Sequence, residues 1–181
     1  MKLMIASDLH GSLYYVNCLI ERLREEKPAR LLLLGDLLYH GPRNDLPPLY
    51  DTKGTAALLN SITPPPLAIR GNCDGEVDQM MLSFPMLSDT AWVFADGYTL
   101  CLTHGHHSEN DERMSTEGDI ILSGHTHVPA FRKENGRFYV NPGSVSIPKE
   151  GSEPSYLLYE AGVLQWKNVE SGQLFREENI I

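Results

Sequence analysis

No stretch of the 181 residues stays apolar for long. Runs such as Leu31 to Leu34 fall far short of the roughly 20 residues that cross a bilayer, so a membrane-spanning helix is excluded. Cysteine is scarce and scattered. Cys18, Cys73 and Cys101 are odd in number and form no Cys-x-x-Cys pair, which argues against a zinc knuckle and a disulfide framework and favours a reduced, cytoplasmic setting. Positive charge is also in short supply: 15 Lys and Arg stand against 24 Asp and Glu, a formal charge of −9. That balance disfavours a broad basic surface and stable binding of duplex nucleic acid. A local anionic ligand is still allowed, because bound metal ions would offset nearby acids. The first residues show no apolar segment leading to a small-residue cleavage site, so no secretory leader is expected. Internal repeats are absent, and Pro64-Pro65-Pro66 is a short stiff connector. The length suits one domain over residues 1–181.

What is present divides into two halves. In the first, strand and helix signals alternate. Residues 3 to 7 read as a buried strand, and residues 13 to 26 as a helix with Leu13, Val16, Leu19, Ile20 and Leu23 on one face and Ser12 as N-cap. A second buried strand spans 30 to 35. After a long loop rich in Pro and Asp, from Asp36 to about Asp51, come a short helix near Thr55 to Ile62 and a strand from Leu67 to Arg70. Such alternation predicts a largely parallel sheet. The second half is strand-rich. Hairpin turns are expected at Asp96-Gly97, Asn135-Gly136 and Ala161-Gly162, with a further strand over Asp119 to Ser123, and these strands call for a second sheet. The expected fold class is α/β, a four-layer α/β/β/α sandwich of two mixed sheets flanked by helices.

Chemistry-bearing residues follow the strands. Leu3 to Ser7 runs into Asp8-Leu9-His10, and Leu31 to Leu34 into Gly35-Asp36. Leu67 to Arg70 runs into Gly71-Asn72-Cys73-Asp74-Gly75, Tyr98 to Thr103 into His104-Gly105-His106, and Ile120 to Ser123 into Gly124-His125-Thr126-His127. In open α/β sheets the carboxyl ends of strands are where ligands bind. Asp8 and His10 are two apart, as are His125 and His127, so in extended backbone each pair would point to one side. The seven O and N donors Asp8, His10, Asp36, Asn72, His104, His125 and His127, without thiolate, suit intermediate divalent ions such as Mn, Fe, Co, Ni or Zn. Asp36, midway in this order, is a natural bridge between two ions. Each element alone has a plainer reading: Gly-Asp as a turn, Asn-Cys-Asp-Gly as a capping loop, a lone His as surface decoration. Packing does not explain why four of the seven histidines follow strands and mix with acids.

The ordered set Asp8-x-His10, Gly35-Asp36, Gly71-Asn72-x-Asp74, His104 and Gly124-His125-Thr126-His127 resembles the calcineurin-like metallophosphoesterases from Met1 to about Ser146. Asn141-Pro142-Gly143-Ser144 is similar to their small bacterial phosphodiesterase branch. The resemblance implies the four-layer sandwich. It also implies one metal held by Asp8, His10, Asp36 and His127 and a second by Asp36, Asn72, His104 and His125. Many members have a histidine after Gly-Asn that is thought to protonate the leaving group; here that residue is Cys73. Without a basic neighbour to activate it, Cys73 is not expected to be a nucleophile. His106 and His107 are alternative acids, or simply exposed loop histidines.

The function expected is hydrolysis of a small phosphodiester by a hydroxide bridging two divalent ions, most readily Mn. Asn72, Asp36 and His104 are expected to act at the reacting phosphate. Arg43, Arg70, Asp74 and His106 are candidate substrate contacts. Arg70 could equally form an ion pair beneath the site, Arg43 could be a solvated charge, and Asp74 could orient a ligand or cap a helix near Gly75. Phosphomonoester or phosphoprotein hydrolysis, a nuclease, and a non-catalytic binding scaffold are the alternatives. Exposed strand edges in a small domain are compatible with a homo-oligomer.

Overall fold

The computed structural model describes residues 1–107 and 111–180. Its first sheet has the strand order β11-β10-β9-β1-β2-β3. The parallel half is β1 (Leu3–Ala6), β2 (Arg30–Leu33) and β3 (Leu67–Ala68), and the antiparallel half is β9 (Ser155–Glu160), β10 (Val163–Asn168) and β11 (Leu174–Asn179). The second sheet runs β4-β5-β6-β8-β7. Its centre, β5 (Tyr98–Thr103), β6 (Ile120–Leu122) and β8 (Arg137–Asn141), is parallel, with β4 (Thr90–Ala95) and β7 (Ala130–Glu134) as antiparallel edges.

Side-chain alternation explains the layering. Leu3 and Ile5 of β1 and Leu32 of β2 point between the sheets, where they meet Leu100, Leu102, Ile120, Leu122 and Val140. Met4, Ala6, Leu31 and Leu33 point the other way, onto Val16 and Leu19 of α1 (Leu13–Glu26) and Ala56 and Leu59 of α2 (Thr52–Asn60). Both faces of β1 and β2 are therefore buried, which is why they read as continuous apolar runs. Each such buried Leu or Ile contributes about 1.5–3 kcal/mol of transfer free energy. Two polar anchors tie the sheets together: Trp166 Nε1 donates to Asn141 O at 2.7 Å, and Tyr159 Oη donates to Ala95 O at 3.1 Å.

Helix α1 starts where expected, because Ser12 Oγ accepts from Tyr15 N at 3.4 Å. Helix α2 starts three residues earlier than the sequence pattern suggested, because the Asp51 side chain accepts from Gly54 N at 3.0 Å. The hairpin at Ala161-Gly162, expected in the second sheet, forms β9 and β10 and extends the first. Strand β11, rich in charge and at the sheet edge, was not expected at all. The outer helical layer over the second sheet is thin. Among the described residues it is α4 (Asp111–Met114), whose Met114 carbonyl accepts from Trp92 Nε1 at 2.9 Å. A further short helix, α3 (Glu76–Met81), follows the β3 loop at the carboxyl end of the first sheet.

Candidate metal centre

All seven expected donors lie on loops leaving the carboxyl ends of β1, β2, β3, β5 and β6. The loops are stitched by their backbones: Asp8 N donates to Gly35 O at 3.1 Å, His10 N to Asp36 O at 2.9 Å, and Gly124 N to His104 O at 3.0 Å. The spacing rule that pointed to the pairs was wrong in its reason. Asp8, His10, Asp36, His125 and His127 are not extended; their φ angles are 57°, 46°, 55°, 68° and 62°. A left-handed backbone is unfavourable for such residues, and clusters of it mark sites whose geometry the surroundings impose. The surroundings here are visible. Ser144 Oγ and Ser146 Oγ both donate to Asp8 O, at 2.8 and 3.1 Å, and Asn141 Nδ2 donates to Gly124 O at 2.7 Å. Gly71 and Gly124 complete the fit, because a Cβ on Gly71 would overlap Asp36, and one on Gly124 would overlap Ser7 and crowd Asp8.

Three histidines have their tautomer fixed by the main chain. Nδ1 of His10 pairs with Tyr39 O at 2.8 Å, that of His104 with Leu34 O at 2.7 Å, and that of His127 with Ile147 O at 2.6 Å. With Nδ1 committed to a carbonyl, each ring offers a lone pair at Nε2 once that nitrogen is deprotonated, as metal binding requires, and all three point inward. They meet two buried carboxylates. Asp8 Oδ1 lies 3.2 Å from His127 Nε2 and 3.7 Å from His10 Nε2; Asp36 Oδ2 lies 3.5 Å from His104 Nε2 and 3.8 Å from His10 Nε2. Asn72 Oδ1 is 3.1 Å from His104 Nε2. His125, half-buried, donates its backbone N–H to Asp8 Oδ2 at 3.1 Å, and its ring centroid is 5.2 Å from that of His104.

The electrostatics are those of a site built for cations. Burial alone would raise the Asp8 and Asp36 pKa values. The neighbouring histidines more than offset it and hold both carboxyls below their ordinary range. His104 responds in kind: burial pulls its pKa down, but Asp36 and Asp8 push it up to about 9. Asp8 Oδ1 is buried yet accepts no hydrogen bond. A buried carboxylate oxygen ringed by imidazole nitrogens is costly unless positive charge, as protons or metal ions, sits among them. Donor atoms of Asp8, His10 and His127, and those of Asp8, Asp36 and His104, lie within 4.8 Å of one another, as do those of His10, Asp36 and Cys73. The residues fit divalent metal ions.

Residues 1–162 match the model of the calcineurin-like phosphoesterase superfamily domain. The chain belongs to that superfamily. It is 43 % identical over 166 residues to the Escherichia coli phosphodiesterase YfcE, covering 91 % of this chain and 90 % of that protein. A phosphodiesterase of Methanocaldococcus jannaschii is 27 % identical over 151 residues, covering 79 % and 83 %. The solved structure of E. coli YfcE, described as a phosphoesterase, superposes with a TM-score of 0.93 at 39 % identity, covering 100 % of both chains.

In this phosphoesterase fold the centre opens into a cavity of about 390 Å³. Asp36, Asn72, His125 and His127 line it, and Arg43 and Lys149 stand at its rim as exposed cations. Lys149 escaped the sequence reading because it follows no strand and belongs to no motif. The two serines that hold Asp8 escaped as donors too, since only the fold brings Ser144 and Ser146 beneath the β1 loop. Other expectations need correction. Asp74 is 3 % exposed and does not line this cavity; its carboxylate accepts from the backbone N–H groups of Asp36, Leu37 and Gly71 at 2.7, 2.9 and 2.7 Å. It does not cap α3 either, because Asp78 receives the Gly75 N–H at 2.8 Å. Arg70 does not line the cavity and forms no ion pair among the described residues; its Nε donates to Asp74 O at 3.2 Å. His106 sits beside the centre, its ring 5.4 Å from that of His104, but is not part of the cavity wall. The Cys73 thiol is pushed up to about 12, first by burial and then by Asp36, which keeps it un-ionised and agrees with the expectation that it is no nucleophile.

Proposed function

We propose that this chain hydrolyses small phosphodiesters with two divalent ions. One ion would be held by Asp8, His10, Asp36 and His127, the other by Asp36, Asn72, His104 and His125, with Mn the preferred metal. The observation that carries the reading is the buried Asp8 Oδ1, which accepts no hydrogen bond, beside three histidines whose Nε2 atoms converge on two buried carboxylates. The name of YfcE, a phosphodiesterase, supports the choice of substrate class. When bound, the ions would supply charge neutralisation at phosphorus and an acidified shared water as nucleophile.

The chain's own residues do the rest. Asp36, common to two of the donor clusters, would be the shared ligand that fixes the spacing of the ions. The amide of Asn72, exposed at the cavity wall, would hold a phosphate oxygen and orient it against His104. Arg43 and Lys149 would draw the anionic ester in and hold its outer oxygen. Residues 1–181 would act as one domain. β11, beyond the matched region, pairs with β10 and so supports that reading. No described helix is long and apolar enough to cross a membrane. With free Cys18, Cys73 and Cys101, a reducing cytoplasm is the compartment we propose.

The test is turnover of bis(p-nitrophenyl) phosphate and of p-nitrophenyl phosphate by chelator-stripped protein after adding single divalent ions, with metal content measured in parallel. We expect about two ions per chain, activity only with metal, and preference for the diester. Preference for the monoester would point to a phosphomonoesterase instead. A folded, metal-loaded protein inert to both esters would sink the enzymatic reading and favour a scaffold.

A further inference from the structure

A second cavity of about 510 Å³ lies beside the metal centre, and its walls differ in character. Leu38 forms part of its base, Tyr39 and Tyr50 one side, and Val77 and Met81 of α3 another. Val77 is 74 % exposed, Met81 42 % and Tyr39 41 %, so apolar surface stands open to solvent directly beside the site. Such surface is retained where it serves binding. The two rings are braced, since each packs edge-on against His40, with centroids 4.8 and 5.2 Å away.

Two links join this trough to the metal centre. Cys73 lines both cavities, and its Sγ lies within 4.8 Å of donor atoms of His10 and Asp36. The backbone of Tyr39 is the hydrogen-bond partner of His10 Nδ1, at 2.8 Å. The Cys73 side chain thus stands between the proposed phosphate position and the trough. A substituent on phosphorus that passes it leaves the cavity lined by Arg43 and Lys149 and enters the apolar trough. The trough lining carries Asp74, Glu76 and Asp78 against the single cation Lys53, which disfavours an anionic occupant.

We infer that the trough bounded by Tyr39, Tyr50, Val77 and Met81 is a subsite for one uncharged, apolar arm of the phosphodiester, an aryl or long alkyl group. The inference rests on the phosphodiesterase reading and specifies its substrate class: an asymmetric diester with one apolar arm, its anionic or polar remainder facing Arg43 and Lys149.

The experiment uses phosphinates CH3–P(O)(O⁻)–R, which keep the anionic phosphorus but have no bond to hydrolyse, with R as methyl, butyl, benzyl and naphthylmethyl. Each is titrated calorimetrically into the full chain loaded with Mn. Kd is expected to fall along the series by at least roughly tenfold, as apolar area leaves water. Val77→Asp and Met81→Asp, at surface positions that tolerate a polar residue, are expected to abolish most of that gain. Phe94→Asp, which removes an equally exposed apolar side chain from β4 far from the trough, is expected to keep it. Equal Kd for all R would overturn the subsite while leaving the phosphodiesterase reading intact. A Val77→Asp protein that keeps the full gain would overturn it too. If its sedimentation coefficient falls at the same time, the trough belongs to a second copy of the chain. If no phosphinate binds and the metal-loaded protein hydrolyses no diester, the phosphodiesterase reading has failed and the subsite with it.

Discussion

His10 and His127 bring their Nε2 atoms within 3.4 Å of each other, while the Nδ1 of each ring pairs with a main-chain carbonyl. Two imidazole nitrogens so placed beside the Asp8 carboxylate need a positive charge among them, a proton or a metal ion. Metal binding should therefore stabilise the fold. At a free ion concentration 100 times Kd, linkage adds about 2.7 kcal/mol, which differential scanning calorimetry should show as a rise in Tm on adding Mn. Asp36→Ala is expected to lose most of that rise, to bind fewer ions by elemental analysis, and to lose roughly 10³-fold or more in kcat/KM. Full turnover with metal retained would refute the assignment of Asp36 as the shared ligand.

Gly71 tests how tightly the β3 loop is fitted. A methyl group there would overlap both Oδ1 and the backbone N of Asp36. Neither can yield easily: Asp36 N donates to Asp74 Oδ2 at 2.7 Å, and Asp36 Oδ1 accepts from Cys73 N at 2.7 Å. Gly71→Ala should cost about 1–3 kcal/mol of stability, the range for overpacking at a buried site. It should also weaken metal binding in whatever fraction folds. Gly75→Ala, where a Cβ would meet only Asp78 Oδ2 at 3.8 Å, should be nearly silent in both chemical denaturation and metal titration.

The donors were legible because each follows an apolar strand, and strand ends converge by topology. Their backbone conformation was not legible. Asp8 and His10 look like an extended i, i+2 pair, but the left-handed turns at both depend on Ser144 and Ser146, more than 130 residues away. Asp74 was misread for the same reason: its three N–H partners lie across two loops that only the tertiary fold brings together. β11 was missed because its sequence, Leu-Phe-Arg-Glu-Glu-Asn, is charged as befits a sheet edge, and edge strands carry charge to resist further pairing. Lys149 and the apolar wall at Val77 and Met81 carry no motif; only their nearness to Cys73 and the candidate metal ligands gives them meaning.

Cys73 stands where the family resemblance leads to the expectation of a histidine. A thiol with its pKa pushed up to about 12, by burial first and Asp36 second, is a poor proton donor at neutral pH. Cys73→His should raise kcat for diesters with alkoxide leaving groups by about 10–100-fold and change little for nitrophenyl esters, whose phenolate departs without help. The plot of log kcat against leaving-group pKa should flatten. An unchanged slope would show that protonation at this position does not limit the reaction.

Far from the metal centre, Glu26 at the end of α1 gathers Lys167, Lys2 and Tyr156. Lys2 Nζ lies 3.4 Å from its Oε2, Tyr156 Oη donates to Oε1 at 3.3 Å, and Lys167 Nζ pairs with Oε1. Burial alone would raise the carboxyl pKa, but the bonds to Lys167 and Lys2 outweigh it, so the group titrates below its usual 4.5. A carboxyl whose pKa is depressed by folding stabilises the native state at pH values above the unfolded pKa. That contribution is lost as pH falls through the folded pKa. Glu26→Gln should therefore cost about 1–2 kcal/mol at pH 7, since the bonds lost are partly shielded from water. The difference from the wild type should shrink steadily once pH drops below 4.5, where the wild-type carboxyl begins to lose its advantage. Urea denaturation at several pH values measures it directly. A Glu26→Gln deficit that stays constant down to pH values near 3 would show that packing, and not the charge on Glu26, joins α1 to the β9–β10 hairpin.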